Sequence, residues 1–160
     1  MKKQRVFIFG NLILSSDNPP MKLLPTLCNS FPQIEFRHVD PSDTWIENET
    51  NPILIDTVVG LLKPKLFNSL QSFEKLNFRI TPHDYDLYFD LAIMLKLNKI
   101  EGFQLIGIPQ KEPTKSMVVD VISILRACLK SSKKLLFGYF SFASSLFIAH
   151  LATAKIALHA

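Results

Sequence analysis

The chain predicts an α/β fold, a single domain built on a mainly parallel, twisted sheet held between helices. Three observations carry that prediction. Short apolar runs alternate along the sequence with amphipathic stretches of helical period. The first run, Val6 to Phe9, is too short for a helix and too continuous for a half-solvated strand, so it reads as a strand covered on both faces. It stops at Gly10-Asn11, a pair that lets the chain turn sharply, and in open parallel sheets the carboxyl ends of the strands are where ligands bind. A closed antiparallel barrel would contradict the prediction.

The loop after Gly10-Asn11 delivers Asp17 just ahead of Pro19-Pro20, whose fixed φ suits the first turn of a helix. Leu23, Leu24, Leu27 and Cys28 then recur at helical spacing, with Pro25 expected to kink or shorten the helix. Ile34, Phe36 and His38 alternate with Glu35, Arg37 and Val39, the period of a strand with one face partly solvated, near the sheet edge. A turn follows at Asp40-Pro41, and the polar stretch to Asn51 reads as a loop around Trp45. Ile53-Leu54-Ile55 is a second apolar run that ends on a carboxylate, Asp56, and Val58-Val59-Gly60 continues it.

From Lys63 to Arg79 the expectation is turns and one strand, around Phe73 to Ile80. Thr81-Pro82-His83-Asp84 breaks the chain, with Asp84 expected to cap the next helix and His83 to sit just outside it. The stripe Leu87, Tyr88, Leu91, Met94 and Leu95 carries that helix to near Asn98. Gly102 to Ile108 is a third apolar strand and Pro109 to Pro113 a turn. Ser116 to Lys130 is amphipathic, with Val118, Val121, Ile122 and Leu125 on one face.

A chain of 160 residues is one domain by size and buries about two-thirds of its unfolded surface. An apolar fraction of 48%, with 13 Phe, excludes disorder. The formal net charge of +4 comes from scattered lysines with no Arg-rich or Lys-aromatic stripe, which argues against a nucleic-acid partner. Cys28 and Cys128 lie far apart, without CxxC or Cys-His spacing, and are expected to be reduced core thiols of a cytoplasmic protein. The basic N-terminus precedes too short an apolar run for a signal peptide. Gly-rich phosphate loops, the Gly-x-Ser-x-Gly elbow and HExxH are all missing, so nucleotide, serine-hydrolase and zincin chemistries lack their mechanical parts. No organic cofactor is expected.

The sequence divides into an α/β domain over 1–130 and an apolar C-terminal extension over 131–160. Residues 135–154 carry no Lys, Arg, Asp or Glu and follow Lys130, Lys133 and Lys134, matching the roughly 20 residues a bilayer requires. Two readings stand for this tail: a membrane span or anchor, or an extension packed on a soluble domain. Gly138, Ser141, Ser144, Ser145, His150 and Thr153 weigh against the span, because polar groups cost free energy in lipid.

In a parallel sheet, Asp17 after the first strand, Asp56 ending the second long run and His83 ahead of a helix all reach the carboxyl edge. Two carboxylates and an imidazole suit a divalent ion such as nickel, zinc, manganese or iron(II), and leave coordination positions for substrate. The purely structural alternative has Asp17 capping a helix, Asp56 ordering a turn and His83 idle in a loop.

Gly10-Asn11 with an acid six positions after the Asn, Leu54-Ile55-Asp56-Thr57, and Thr81-Pro82-His83-Asp84-Tyr85-Asp86-Leu87 followed by Gly107-Ile108-Pro109 together resemble the hydrogenase maturation protease family. The resemblance spans roughly Val6 to Leu129 and keeps the order of elements. It implies a three-layer, phosphorylase/hydrolase-like fold. It also implies an endopeptidase that removes the C-terminal extension of the precursor of a nickel-iron hydrogenase large subunit, or a related metalloprotein, after nickel insertion. Asp17, Asp56 and His83 match the family's metal-contacting positions, and the resemblance implies that the ion is nickel already held by the substrate. Ile8, Ser16 and Asn18 stand where the common pattern has a glycine, a second acid and a glycine. A non-catalytic metal-sensing or binding module on the same fold is the second reading.

Overall fold

The structure is a computed structural model and describes residues 3–11, 18–39, 49–74 and 82–131. Five strands form one sheet: β1 (Arg5–Ile8), β2 (Glu35–His38), β3 (Ile53–Val58), β4 (Lys65–Phe67) and β5 (Gln104–Pro109), in the order β2-β1-β3-β5-β4. β1, β2, β3 and β5 are parallel, and β4 closes one edge antiparallel to β5. The mainly parallel α/β sheet is therefore as expected. Its helices are α1 (Pro19–Ser30), α2 (Gln71–Glu74), α3 (Pro82–Lys96) and α4 (115–131).

The continuous apolar runs became the interior strands because both of their faces are covered. Val6, Phe7 and Ile8 are wholly buried, and so are Leu54, Ile55 and Ile106. The alternating segment became β2, the edge strand, with Glu35 and His38 exposed and Phe36 and Arg37 half-buried. An edge strand has a neighbour on one side only, so it keeps polar residues.

One face of the sheet packs Phe7, Phe9, Leu54, Val58 and Leu105 against Leu87 and Leu91 of α3, with Met94 and Leu95 alongside. The stripe read from the sequence thus faces inward at i, i+4, i+7 and i+8. Right-handed crossovers place α1 on the other face, because β1 to β2 steps one way along the sheet and β3 to β5 steps the other way. There α1 lies over β3 and β5, with Leu23 and Leu27 fully buried. Lys22 of α1 pairs with Glu112 in the turn before α4.

Pro19 and Pro20 open α1, as expected, and Pro25 sits inside it without ending it. Asn18 holds the N-cap position, so the cap is not Asp17. At the far end of α3, Asn98 takes φ 53°, the left-handed conformation that stops a helix. Thr114 starts α4: its Oγ1 accepts the Met117 N–H at 3.3 Å and its carbonyl the Val118 N–H at 3.0 Å.

Several expectations are corrected. α3 begins at Pro82, so His83 and Asp84 are its second and third residues and Asp84 is not the cap. Proline at the first helical position gives up only an N–H that would have no helical partner. Phe73 and Glu74 belong to α2, the short edge strand lies earlier at Lys65–Phe67, and residues 75–81 are outside those described. Cys28 is exposed on α1 rather than in the core. The buried face of α4 is Met117, Val121, Leu125 and Cys128, so Val118 and Ile122 lie at its margin.

Residues 1–125 form one compact unit and 126–160 a second. The described part of the second is the end of α4, where Cys128 and Leu129 are buried. Burial pushes the Cys128 thiol up to about 11. The apolar stretch 135–154 lies outside the described residues; among those described, no helix is long and apolar enough to cross a membrane.

Candidate functional site at the carboxyl edge of the sheet

The chain leaves β1 for β2 on one side and later crosses to β3 on the other. Their carboxyl ends therefore flank the topological switch point, the place in open α/β sheets where a crevice forms because connections depart in opposite directions. Gly10-Asn11 and Asp56-Thr57 are the residues the sequence puts there.

Each strand end is held by a last rung. Phe9 N–H donates to the Ile55 carbonyl at 2.9 Å, and Val39 N–H to the Ile8 carbonyl at 3.0 Å. Past these rungs the chain turns on Gly10, whose φ of 150° is a conformation that side-chain-bearing residues rarely adopt. Asn11 follows, exposed.

Asp56 is half-buried in β3, directly beside Gly107 of β5. Its neighbours two residues away, Leu54 and Val58, pack against α3, so by strand alternation its side chain leaves the sheet on the α3 face. The carboxylate Oδ1 accepts the Thr57 N–H at 2.7 Å. Ile55 turns its carbonyl toward β1, and by the same alternation Thr57 turns its N–H that way, just beyond the last β1 rung. Asp56 thus caps its own strand end. The carboxylate is a hard oxygen donor at a half-open edge, which fits the part of a metal ligand that leaves room for substrate.

Thr57 itself is 4% exposed, and its Oγ1 has no hydrogen-bond partner among the described residues. Across the sheet, Lys111 Nζ, in the turn after β5, donates to the Leu62 carbonyl after β3 at 2.9 Å. This ties two carboxyl-edge loops together.

The three predicted ligands fare differently. Asp56 is on the carboxyl edge, as expected. His83 lies in the first turn of α3, the helix that covers the face from which Asp56 projects; its side chain is outside those described. Asp17 lies outside the described residues, one position before the N-cap of α1. Among the described residues, no three His, Cys, Asp or Glu side chains gather into a metal site.

His38 is the edge residue that sequence reasoning passed over as a strand-surface histidine. It ends β2, pairs in register with Ile8, and brings its Nε2 to 2.9 Å from the Gly10 carbonyl. Its place two residues before Asp40-Pro41 marked it only as near a turn; the β1–β2 register is what sets it beside Gly10.

The fold, though not any one residue of this edge, resembles that of solved structures. E. coli HybD, a hydrogenase maturating endopeptidase, superposes with a TM-score of 0.59 at 14% identity, over 81% of this chain and 93% of that one. The [NiFe] hydrogenase maturation protease HybD of Thermococcus kodakarensis gives 0.55 at 19% identity, over 78% of this chain and 98% of that one. The fold is theirs. No protein-family model matches the chain, and no curated protein sequence matches it significantly.

Proposed function

We propose that the chain is an endopeptidase of the maturation type, one that trims the C-terminal extension from the precursor of a nickel-iron hydrogenase large subunit or a related metalloprotein. The observation that carries the reading is Asp56, a half-buried carboxylate at the switch point of a fold shared with two maturation endopeptidases.

In this reading Asp17 and Asp56 bind nickel carried in by the substrate, and His83 completes the set. A bound divalent ion polarises a scissile carbonyl or lowers the pKa of an attacking water. Asp17 and Asp56 also accept and return the proton that a water attack releases. The set leaves positions open, so the affinity of the free protein for nickel is weak, and the substrate supplies the remaining ligands. The enzyme would thereby sense nickel before cutting.

The test is co-expression of the full chain with the large-subunit precursor from its own source, followed by mass measurement of the precursor's C-terminus. Nickel-dependent shortening, lost in Asp17→Asn and His83→Ala, is the expected result. An unchanged mass with wild type, in nickel-replete cells, overturns the endopeptidase; nickel binding retained in that case would favour the binding module.

A further inference from the structure

We infer that Lys65 reads the protein substrate at this edge: its ammonium takes a carboxylate about three residues along the chain from the peptide bond brought to Asp56, with Leu62 and Lys63 widening the contact. The inference rests on the endopeptidase reading for the cut, and on the sheet register for the docking.

Register places the two residues on one line. Asp56 of β3 lies beside Gly107 of β5, and Lys65 of β4 lies beside Gly107 on its other side. Phe67, two residues from Lys65, packs on the face covered by α3, so by strand alternation the Lys65 side chain leaves the sheet on the same face as Asp56. Its Nζ stands 5.2 Å from the centre of the Phe67 ring. Gly107 puts no side chain between them; the place of its Cβ is crowded by the Phe67 ring, a Leu61 methyl and a Val58 methyl. Lys65 is therefore held on that face behind apolar groups, exposed and with no ion pair among the described residues.

The connection from β3 to β4 supplies the rest of the contact. It has to cross the end of β5, because β5 lies between the two strands it joins. Gly60 turns at φ 83°, Leu61 packs beside Gly107, Pro64 is buried, and Lys111 Nζ donates to the Leu62 carbonyl at 2.9 Å. On this anchored loop Leu62 is 86% exposed, and Lys63 is exposed next to it. No Asp or Glu occurs between residues 57 and 73, and Glu112, next to Lys111, is engaged by Lys22. The rim is basic with an apolar tip, and its anchors leave little to order on binding.

The complementary occupant is an extended segment of the protein substrate that carries an acidic side chain and an apolar one. Two strand spacings of about 4.8 Å separate β3 from β4, about 10 Å in all, and an extended chain advances about 3.3 Å per residue. A segment lying across the strand ends with its scissile bond at Asp56 thus brings the residue about three positions away to Lys65. There an ammonium backed by an aromatic ring gains a charge-assisted bond to a carboxylate. Leu62 covers the apolar side chain of the same segment. An anionic membrane surface offers the same charge, but the line shared with Asp56 favours a chain that has to reach Asp56 to be cut.

The test uses the full chain and the nickel-loaded precursor from its own source. Precursor affinity is measured by fluorescence anisotropy, and processing as KM and kcat, for wild type, Lys65→Met and Lys65→Glu; methionine keeps an unbranched stem over Phe67 and drops the charge. A rise of about tenfold in Kd and KM for Lys65→Met, larger for Lys65→Glu, with kcat held, is expected, as for binding used equally in ground and transition states. Changing the precursor's acidic residue about three positions from the cut to Lys should weaken wild type and restore Lys65→Glu. Unchanged Kd and KM in both variants beside a wild type that cleaves, or a charge swap that restores nothing, overturns the inference and leaves the endopeptidase standing. A wild type that binds through Lys65 without cleaving sinks the endopeptidase reading alone, and one that does not bind the precursor sinks both. Phosphatidylglycerol vesicles sedimented with the same proteins give the remaining outcome: vesicle binding lost in Lys65→Glu, with precursor affinity unchanged, assigns the rim to a membrane and overturns the inference.

Discussion

Asp56 and Gly107 stand directly side by side on β3 and β5, and the missing side chain at 107 is what lets the neighbours of Asp56 close in. A Cβ placed on Gly107 would lie 2.8 Å from the Phe67 ring, 2.9 Å from a Leu61 methyl and 2.9 Å from a Val58 methyl. Phe67 is wholly buried and Val58 nearly so, which leaves little room for either to retreat. Gly107→Ala should therefore destabilise the protein by about 1–3 kcal/mol, the usual range for overpacking. Urea unfolding reads this as a lower midpoint at unchanged slope; an unshifted midpoint would mean that the pocket yields.

Asp56→Asn separates structure from chemistry. Asparagine keeps an Oδ1 that accepts the Thr57 N–H, so stability should change by less than about 1 kcal/mol. The negative charge and the proton acceptor are lost, and precursor processing should fall by about 10²-fold or more. A well-folded Asp56→Asn that processes precursor at the wild-type rate removes Asp56 from the machinery.

Thr57→Val should stabilise. The Thr57 hydroxyl is buried without a partner among the described residues, and a buried unsatisfied polar group costs about 1–3 kcal/mol relative to a methyl of the same shape. A gain of about 1 kcal/mol in chemical denaturation is expected. A loss of similar size would show that the hydroxyl is satisfied in solution.

The two cysteines should differ in reactivity and in pH response. Cys28 is exposed and should react with a thiol reagent in the native protein at pH 8, whereas Cys128 should react only on unfolding. The Cys128 thiol is raised from 9.0 to about 11 by burial, so the folded state holds its proton more tightly than the unfolded state does. Its contribution to stability is complete below pH 9 and is lost as pH rises toward 11. Cys128→Ala should flatten that alkaline decline; an identical alkaline curve for the variant would assign the decline to other groups.

The strands that carry the site were legible because burial writes itself into composition. Val6 to Phe9, Ile53 to Ile55 and Leu105 to Ile108 carry no polar side chain, as a strand covered on both faces requires, and β2 alternates because it lies at the edge. The helix over Leu87 to Leu95 was legible from its period, and its end from Asn98. Local rules failed where two of them competed. Asp84 looked like a cap, but Pro82 two residues earlier is an equally good first helical residue, and the helix begins there. Phe73 and Glu74, read as the start of a strand, lie in α2, while the edge strand formed at Lys65–Phe67, where the antiparallel register against Gly107 and Leu105 supplies its partners; the rest of the expected strand lies outside the described residues.

What the sequence determined by itself is therefore the class of fold, the kinds of residue at the strand ends and the stop of β1 at Gly10, since these follow from local sterics and from how much apolar surface each segment must bury. Tertiary structure alone decided which strand ends meet. The order β2-β1-β3-β5-β4 puts Asp56 beside Gly107 and on the face covered by α3, and the β1–β2 register puts His38 against the Gly10 carbonyl. Shifting that register by one residue would carry the His38 side chain to the other face of the sheet. No local signal encodes it, because the register is set by the summed packing of both faces against helices far away in the chain.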